Sequence, residues 1–179
     1  MFFNFVKEIF KRFLIIILAP LYEFEVIWSL IPVYLTWFIT DILAERKGVD
    51  PTSAVQNGFT ALWIGMDWMH QLTRKGISSI ELSSMPYFVF PIFMILWGCI
   101  AIYAGLWRKW YMGFIARIRE VSYAQIVLTP IIYKLVPLDF LSIISVIVFF
   151  PLMYGVMEAI NRIADKFFEK MELWGEEEW

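Results

Sequence analysis

From Met85 to Trp107 the chain runs twenty-three residues without a charge. An α-helix rises about 1.5 Å per residue, so this run reaches about 34 Å and can cross the roughly 30 Å hydrocarbon core of a bilayer. A second run, Phe140 to Met157, holds eighteen uncharged residues. The chain has only 179 residues, yet it is 60% hydrophobic, and its mean hydropathy is +0.67. A globule of this size keeps much of its surface exposed and cannot hide that surplus, so the matching solvent is lipid. The expected fold class is all-α: a polytopic integral membrane helical bundle of four to five hydrophobic helices with amphipathic helices at its flanks.

The remaining segments fill in that plan. At the N-terminus Asn4, Lys7, Glu8, Lys11 and Arg12 fall on one helical face, and Phe2, Val6, Ile9, Phe10 and Phe13 on the other. This pattern predicts an interfacial amphipathic segment over 1–20, suited to the headgroup plane. The helical bundle is expected over 24–157, with candidate crossings at Phe24–Ala44, Thr52–Thr73, Met85–Trp107, Val121–Pro137 and Asp139–Met157. For 52–73 and 121–137, crossing, re-entry and an interfacial position all stay open. Asp50 and Asp139 stand where helix N-caps would, with Pro51 at a favoured first helical position. Beyond Glu158 an apolar periodicity persists, predicting an amphipathic stalk and acidic tail over 158–179. No linker divides the chain, so 1–179 is a single membrane domain.

Charge sets orientation and excludes one class of partner. With five crossings, nine basic residues, including Arg108, Lys109, Arg117 and Arg119, share one side and six the other. The positive-inside rule then places the C-terminus in the cytoplasm of a multi-pass protein. A net charge of −2 offers no basic face for nucleic acid. The expected partners are the lipid bilayer and either further copies of the chain or other membrane subunits.

Chemistry-bearing residues concentrate in one helix. At about 100° per residue, Gln56, Thr60, Trp63, Asp67, His70, Gln71 and Arg74 share a stripe roughly 100° wide. An Asp at the bilayer centre costs about 2.5–3.5 kcal/mol on insertion scales, so Asp67 must face protein or water. Asp67 and His70 are three apart and can touch. They suit a proton relay, a cation site or half of a metal site; the plainer alternative is a membrane-surface helix with its polar side in water. The pathway-lining candidates are Gln56, Thr60, Asp67, His70 and Gln71.

Ala61 and Gly65, with Gly98, Ala101 and Gly105, form small-residue stripes of the kind that lets helices approach closely, within the chain or between copies. Pro32, Pro91, Pro130 and Pro151 each fall inside a candidate span and can kink it. Glu23 and Glu25 point apart on a helix and fit a headgroup boundary. Cys99 is the only cysteine and His70 the only histidine, so neither a disulfide nor a zinc site is expected, and no cofactor. No P-loop, HExxH, GxSxG or potassium-filter motif occurs. With no nucleophile or metal cluster in view, an enzyme ranks third. The leading expectation is a channel- or transporter-type protein for an ion or small solute, acting as an oligomer. The alternative is a non-catalytic scaffold subunit of a larger membrane complex.

Overall fold

The structure, a computed structural model, describes residues 2–40, 49–74 and 82–176. Its elements in chain order are α1 (Phe2–Tyr22), α2 (Phe24–Ile39), α3 (Pro51–Thr73), a 3₁₀ helix (Leu82–Phe88), α4 (Val89–Leu106), the single turn α5 (Met112–Ile115), α6 (Ile118–Ile132) and α7 (Phe140–Glu176). The fold is all-α, and six of these helices have fifteen residues or more.

Two helices are long and apolar enough to cross a membrane, Met85–Leu106 and Phe140–Ala164. A third crossing exists if α1 and α2 together form one broken span, for they meet at a 96° bend. The expected four to five hydrophobic helices reduce to these two or three on length and composition. The first expected span, Phe24–Ala44, begins where α2 begins, and its last residues, 41–44, lie outside the described residues; the described helix runs to Ile39. The apolar run also continues backwards through α1, past an extended Glu23 that breaks it three residues after Pro20. Residues 41–48, with Arg46 and Lys47, and Lys75 lie outside the described residues, as do the last three of the acidic tail. Helix α3 is too polar to pass as a lipid-facing span. At fifteen residues, or about 22 Å, α6 is too short.

Burial sorts the helices. In α6, eleven of fifteen residues are buried, so it occupies the centre. Only 33% of the α4 span and 17% of the α7 span are buried, so the outer faces of both present apolar side chains outward. Phe93, Leu96 and Ile100 on α4, and Ile143, Ile147 and Leu152 on α7, are exposed. The main core joins Val26, Leu30 and Val33 of α2 to Ala61, Ile64 and Trp68 of α3, Met94 of α4 and Ile126 of α6.

Helix α1 keeps both of its characters. Ile9, Phe13, Ile16 and Ala19 are buried in the bundle, whereas Val6 and Phe10, assigned to the same apolar face by sequence, are exposed. Phe13 stacks on Phe149 of α7 at 4.3 Å, and the Ser145 hydroxyl donates to the Ile9 carbonyl at 3.0 Å. Arg12 pairs with Asp139 at 3.0 Å. Asp139 also accepts from the Ser142 N–H at 2.8 Å, capping α7.

Helices α3 and α4 approach closest. A Cβ added at Gly98 would lie 2.6 Å from both the Gly58 carbonyl oxygen and the Leu62 nitrogen. One at Gly65 would lie 2.8 Å from Ile95 Cγ1, and one at Gly105 2.8 Å from the Pro51 oxygen. Each is well inside van der Waals contact, so these glycines allow the two backbones to touch. Ala101 packs with Ala54 and Ala116, whereas Ala61 belongs to the main core with Ile64, Trp68 and Met94. The prolines divide. Pro32, Pro130 and Pro151 sit inside α2, α6 and α7, while Pro91 is the third residue of α4, where no α-helical backbone bond is lost.

Candidate functional site

The side of α3 turned away from α4 carries polar side chains into the bundle. The Ser29 hydroxyl of α2 donates to Asp67 Oδ2 at 2.7 Å, and the Tyr133 hydroxyl, just past α6, donates to the same oxygen at 2.9 Å. Ser29 Oγ and Tyr133 Oη are themselves 2.6 Å apart. Three oxygens from three helical segments thus form a closed triangle at hydrogen-bonding distances. Each hydroxyl has one proton, so when both point at the carboxylate their own 2.6 Å contact is left without a hydrogen.

One to two turns further along α3 the cluster meets its rim. Arg74 Nη1 pairs with Glu25 Oε1 at 2.8 Å, and Gln71 Nε2 reaches Glu25 Oε2 at 3.4 Å. Both members of the ion pair are more than half exposed, so it contributes little stability, of order 0–1 kcal/mol. Its interest is its place, since α2 and α3 run antiparallel and Glu25 lies one turn from Ser29 on the same seam.

At the other end of that seam, Thr36, Thr40, Gln56 and Thr60 line a cleft of about 440 Å³ together with Leu35, Ile39, Val55 and Phe59. Between cleft and Asp67 stands an apolar layer, with Leu30, Val33 and Ile64 fully buried. From Gln56 to Arg74 the seam covers about 27 Å of helix, close to a hydrocarbon thickness.

A second polar line belongs to α6. Asn57 Nδ2 donates to the Ala116 carbonyl at 2.7 Å, and Trp68 Nε1 donates to Thr129 Oγ1 at 3.0 Å. These two contacts set α3 and α6 parallel and nearly in register. Between them on α6 lie Ser122 and Gln125, both fully buried. Ser122 Oγ and both side-chain polar atoms of Gln125 have no hydrogen-bond partner among the described residues. A buried polar group left so costs about 1–3 kcal/mol, and native interiors tolerate few of them.

The sequence-derived candidates therefore separate. Asp67 and Gln71 both engage α2. Gln56 and Thr60 line the cleft, where the Thr60 hydroxyl also bonds the Gln56 carbonyl at 3.0 Å. His70 is exposed and does not bond Asp67 among the described residues, so the i,i+3 pair is not formed. No group of three or more His, Cys, Asp or Glu side chains able to hold a metal assembles among the described residues. Residues that sequence reasoning passed over are Ser29, Tyr133, Ser122, Gln125 and Thr129. Glu25, assigned to a headgroup boundary, also pairs with Arg74. The available signal was the helical spacing of Ser122, Gln125, Thr129 and Tyr133, which puts all four within about 80° of one face.

Compared with protein-family models, with curated proteins and with solved structures, the chain finds no match in any of the three.

Proposed function

We propose that this chain is a channel- or transporter-type membrane protein for an ion or small solute, with Asp67 as the carboxylate on the route. One observation supports the reading above others: Asp67 is turned into the bundle and held by hydroxyls from two other helical segments. Ionisable residues at membrane depth are expensive and tend to mark ion and proton pathways. The polar seam gives this carboxylate a cleft toward one end and a charged rim toward the other. The reading includes passage of α3 and α6 through the bilayer inside a jacket of the more apolar helices. It also includes a cytoplasmic C-terminus and assembly with further copies or other membrane subunits.

The scaffold alternative binds partners through small-residue faces and the C-terminal stalk. Gly65, Gly98 and Gly105 are used between α3 and α4 of the same chain, which leaves that alternative the stalk. The test is flux in liposomes. Asp67→Asn keeps the size of the side chain and most of its hydrogen bonds, so assembly is expected to survive while flux falls at least tenfold. Unchanged flux in the variant, beside an active wild type, removes Asp67 from the route. A wild type that passes nothing under gradients of protons, sodium, potassium and chloride removes ion transport.

A further inference from the structure

We propose that the species moved is the proton, and that Ser122 and Gln125 hold the internal water that carries it past the apolar layer to Asp67; this rests on the transport reading above. Two independent observations lead there.

The first is the size of the Asp67 triangle. Its three oxygens stand 2.6, 2.7 and 2.9 Å apart. Calcium, bound at about 2.4 Å, spreads adjacent ligand oxygens in an octahedral shell to about 3.4 Å, and magnesium at about 2.1 Å spreads them to about 3.0 Å. All three separations are shorter than either, and two of the three ligands are neutral hydroxyls. The triangle is built around hydrogens. A proton adds to the Asp67 carboxylate from one side, and the resulting acid gives a proton up on the other. One O–H bond forms and one breaks, with no oxidation or reduction. Along the helices that supply the triangle, the charged and titratable groups toward the same end are Glu23 and Glu25 at the start of α2, His70 and Arg74 on α3, and Lys134 beside Tyr133. Of the two carboxylates, Glu25 is the one that bonds α3, and it stands at the rim.

The second is the height of the unpartnered groups. The apolar layer of Leu30, Val33 and Ile64 interrupts the seam between the Thr60 cleft and Asp67. Ser122 and Gln125 sit at that same height on the neighbouring helix, between the Asn57–Ala116 and Trp68–Thr129 contacts. Their three polar atoms offer a donor, an acceptor and a hydroxyl that is both. That set matches what a buried water needs, about three polar partners. The α6 line therefore bypasses the plug in the α2–α3 seam.

Solid-state NMR of the protein in lipid bilayers tests this, with magnetisation passed from water to a selectively labelled Gln125 side-chain amide. The expected result is transfer to the Gln125 amide as fast as to Gln56 in the cleft. No transfer at Gln125, with Gln56 positive, overturns the water site. In liposomes, Gln125→Met conserves volume and removes both polar atoms. Proton flux is expected to fall at least tenfold, with oligomeric state and helix content unchanged; unaltered flux overturns the proposal. Two wild-type outcomes separate this inference from the reading beneath it. A protein that moves sodium or potassium as fast as protons overturns the proton assignment alone. A protein that moves nothing overturns the transport reading, and the proton assignment with it.

Discussion

Helix α3 has two working faces, and they are held by opposite means. Toward α4 the contact is steric, with glycines on both helices so close that no Cβ fits at Gly58 or Gly98. Toward α2 and α6 the contact is chemical, with Asp67, Trp68 and Asn57 each bonded across a helix boundary. The steric face tolerates no added atom, and what fixes it is shape. The chemical face depends on which atoms are polar, and fills its volume with ordinary core residues around them. A membrane interior needs the first arrangement for stability, since apolar burial gives helices little reason to leave lipid for each other. It needs the second only where polarity has a use.

The largest effect should come from breaking the steric face. In Gly98→Ala the new methyl meets the backbone of Gly58 and Leu62, which no side-chain rotation can relieve. The gain in helix propensity is about 1 kcal/mol, and overpacking against backbone that cannot step aside lies at the top of the usual range, about 3 kcal/mol, so the clash wins. A net loss of about 2 kcal/mol is expected from reversible unfolding in detergent. Gly155→Ala in α7, where nothing lies within 4 Å of the added Cβ, is the control and should be neutral or slightly stabilising. Equal losses in the two variants would mean that α3 and α4 do not touch through Gly98.

A smaller effect is expected on the chemical face. Tyr133→Phe removes one of the two hydroxyls on Asp67 and leaves the ring in place. The loss should be about 0.5–1.5 kcal/mol, the net value of a typical hydrogen bond. Because Ser29 and Tyr133 share one acceptor, Ser29→Ala and Tyr133→Phe should not add. A double-mutant cycle should give a coupling of at least about 0.5 kcal/mol, and strict additivity would dissolve the triangle.

How far the sequence displays these two faces follows from what each requires. The steric face is readable, because glycines at helical spacing within an apolar run have few other uses. Gly65, Gly98 and Gly105 stand out from their spacing alone, although their partner helix does not. Asp67 stands out as well, because a carboxylate among Trp63, Met66 and Trp68 must have a reason. Its partners do not. Ser29 is one of three hydroxyls in α2, beside Tyr34 and Thr36, Tyr133 is one of eight tyrosines, and only tertiary packing brings 29, 67 and 133 together. His70 misleads for a related reason. Spacing of three permits contact with Asp67, but the carboxylate is already committed to α2 and Tyr133, and the ring turns outward. The expected span count falls to two or three because α6, at fifteen residues, is too short and α3 is too polar to face lipid.

The smallest effect tests the helix that both faces share. Asp50 caps α3, accepting from the Ser53 N–H at 2.6 Å, and the hydrogen bonds from Ser53 hold its carboxyl below the usual range. A pKa lower in the folded state means that the unfolded chain takes up the proton more readily as pH falls. The cap therefore adds stability above the unfolded carboxyl value of about 4, and that increment disappears as pH drops through the lower folded value. Asparagine caps about as well and does not titrate in this range. Asp50→Asn should fall slightly below the wild type near pH 7, where only the charged cap also meets the helix dipole favourably, and the gap should close as pH falls below about 4 through the lower folded value. Since α3 is common to both faces, the wild type's small acid loss should appear equally in a probe at Trp68, on the chemical face, and at Trp97, which projects from α4. A loss confined to one probe would mean that the two faces do not unfold together.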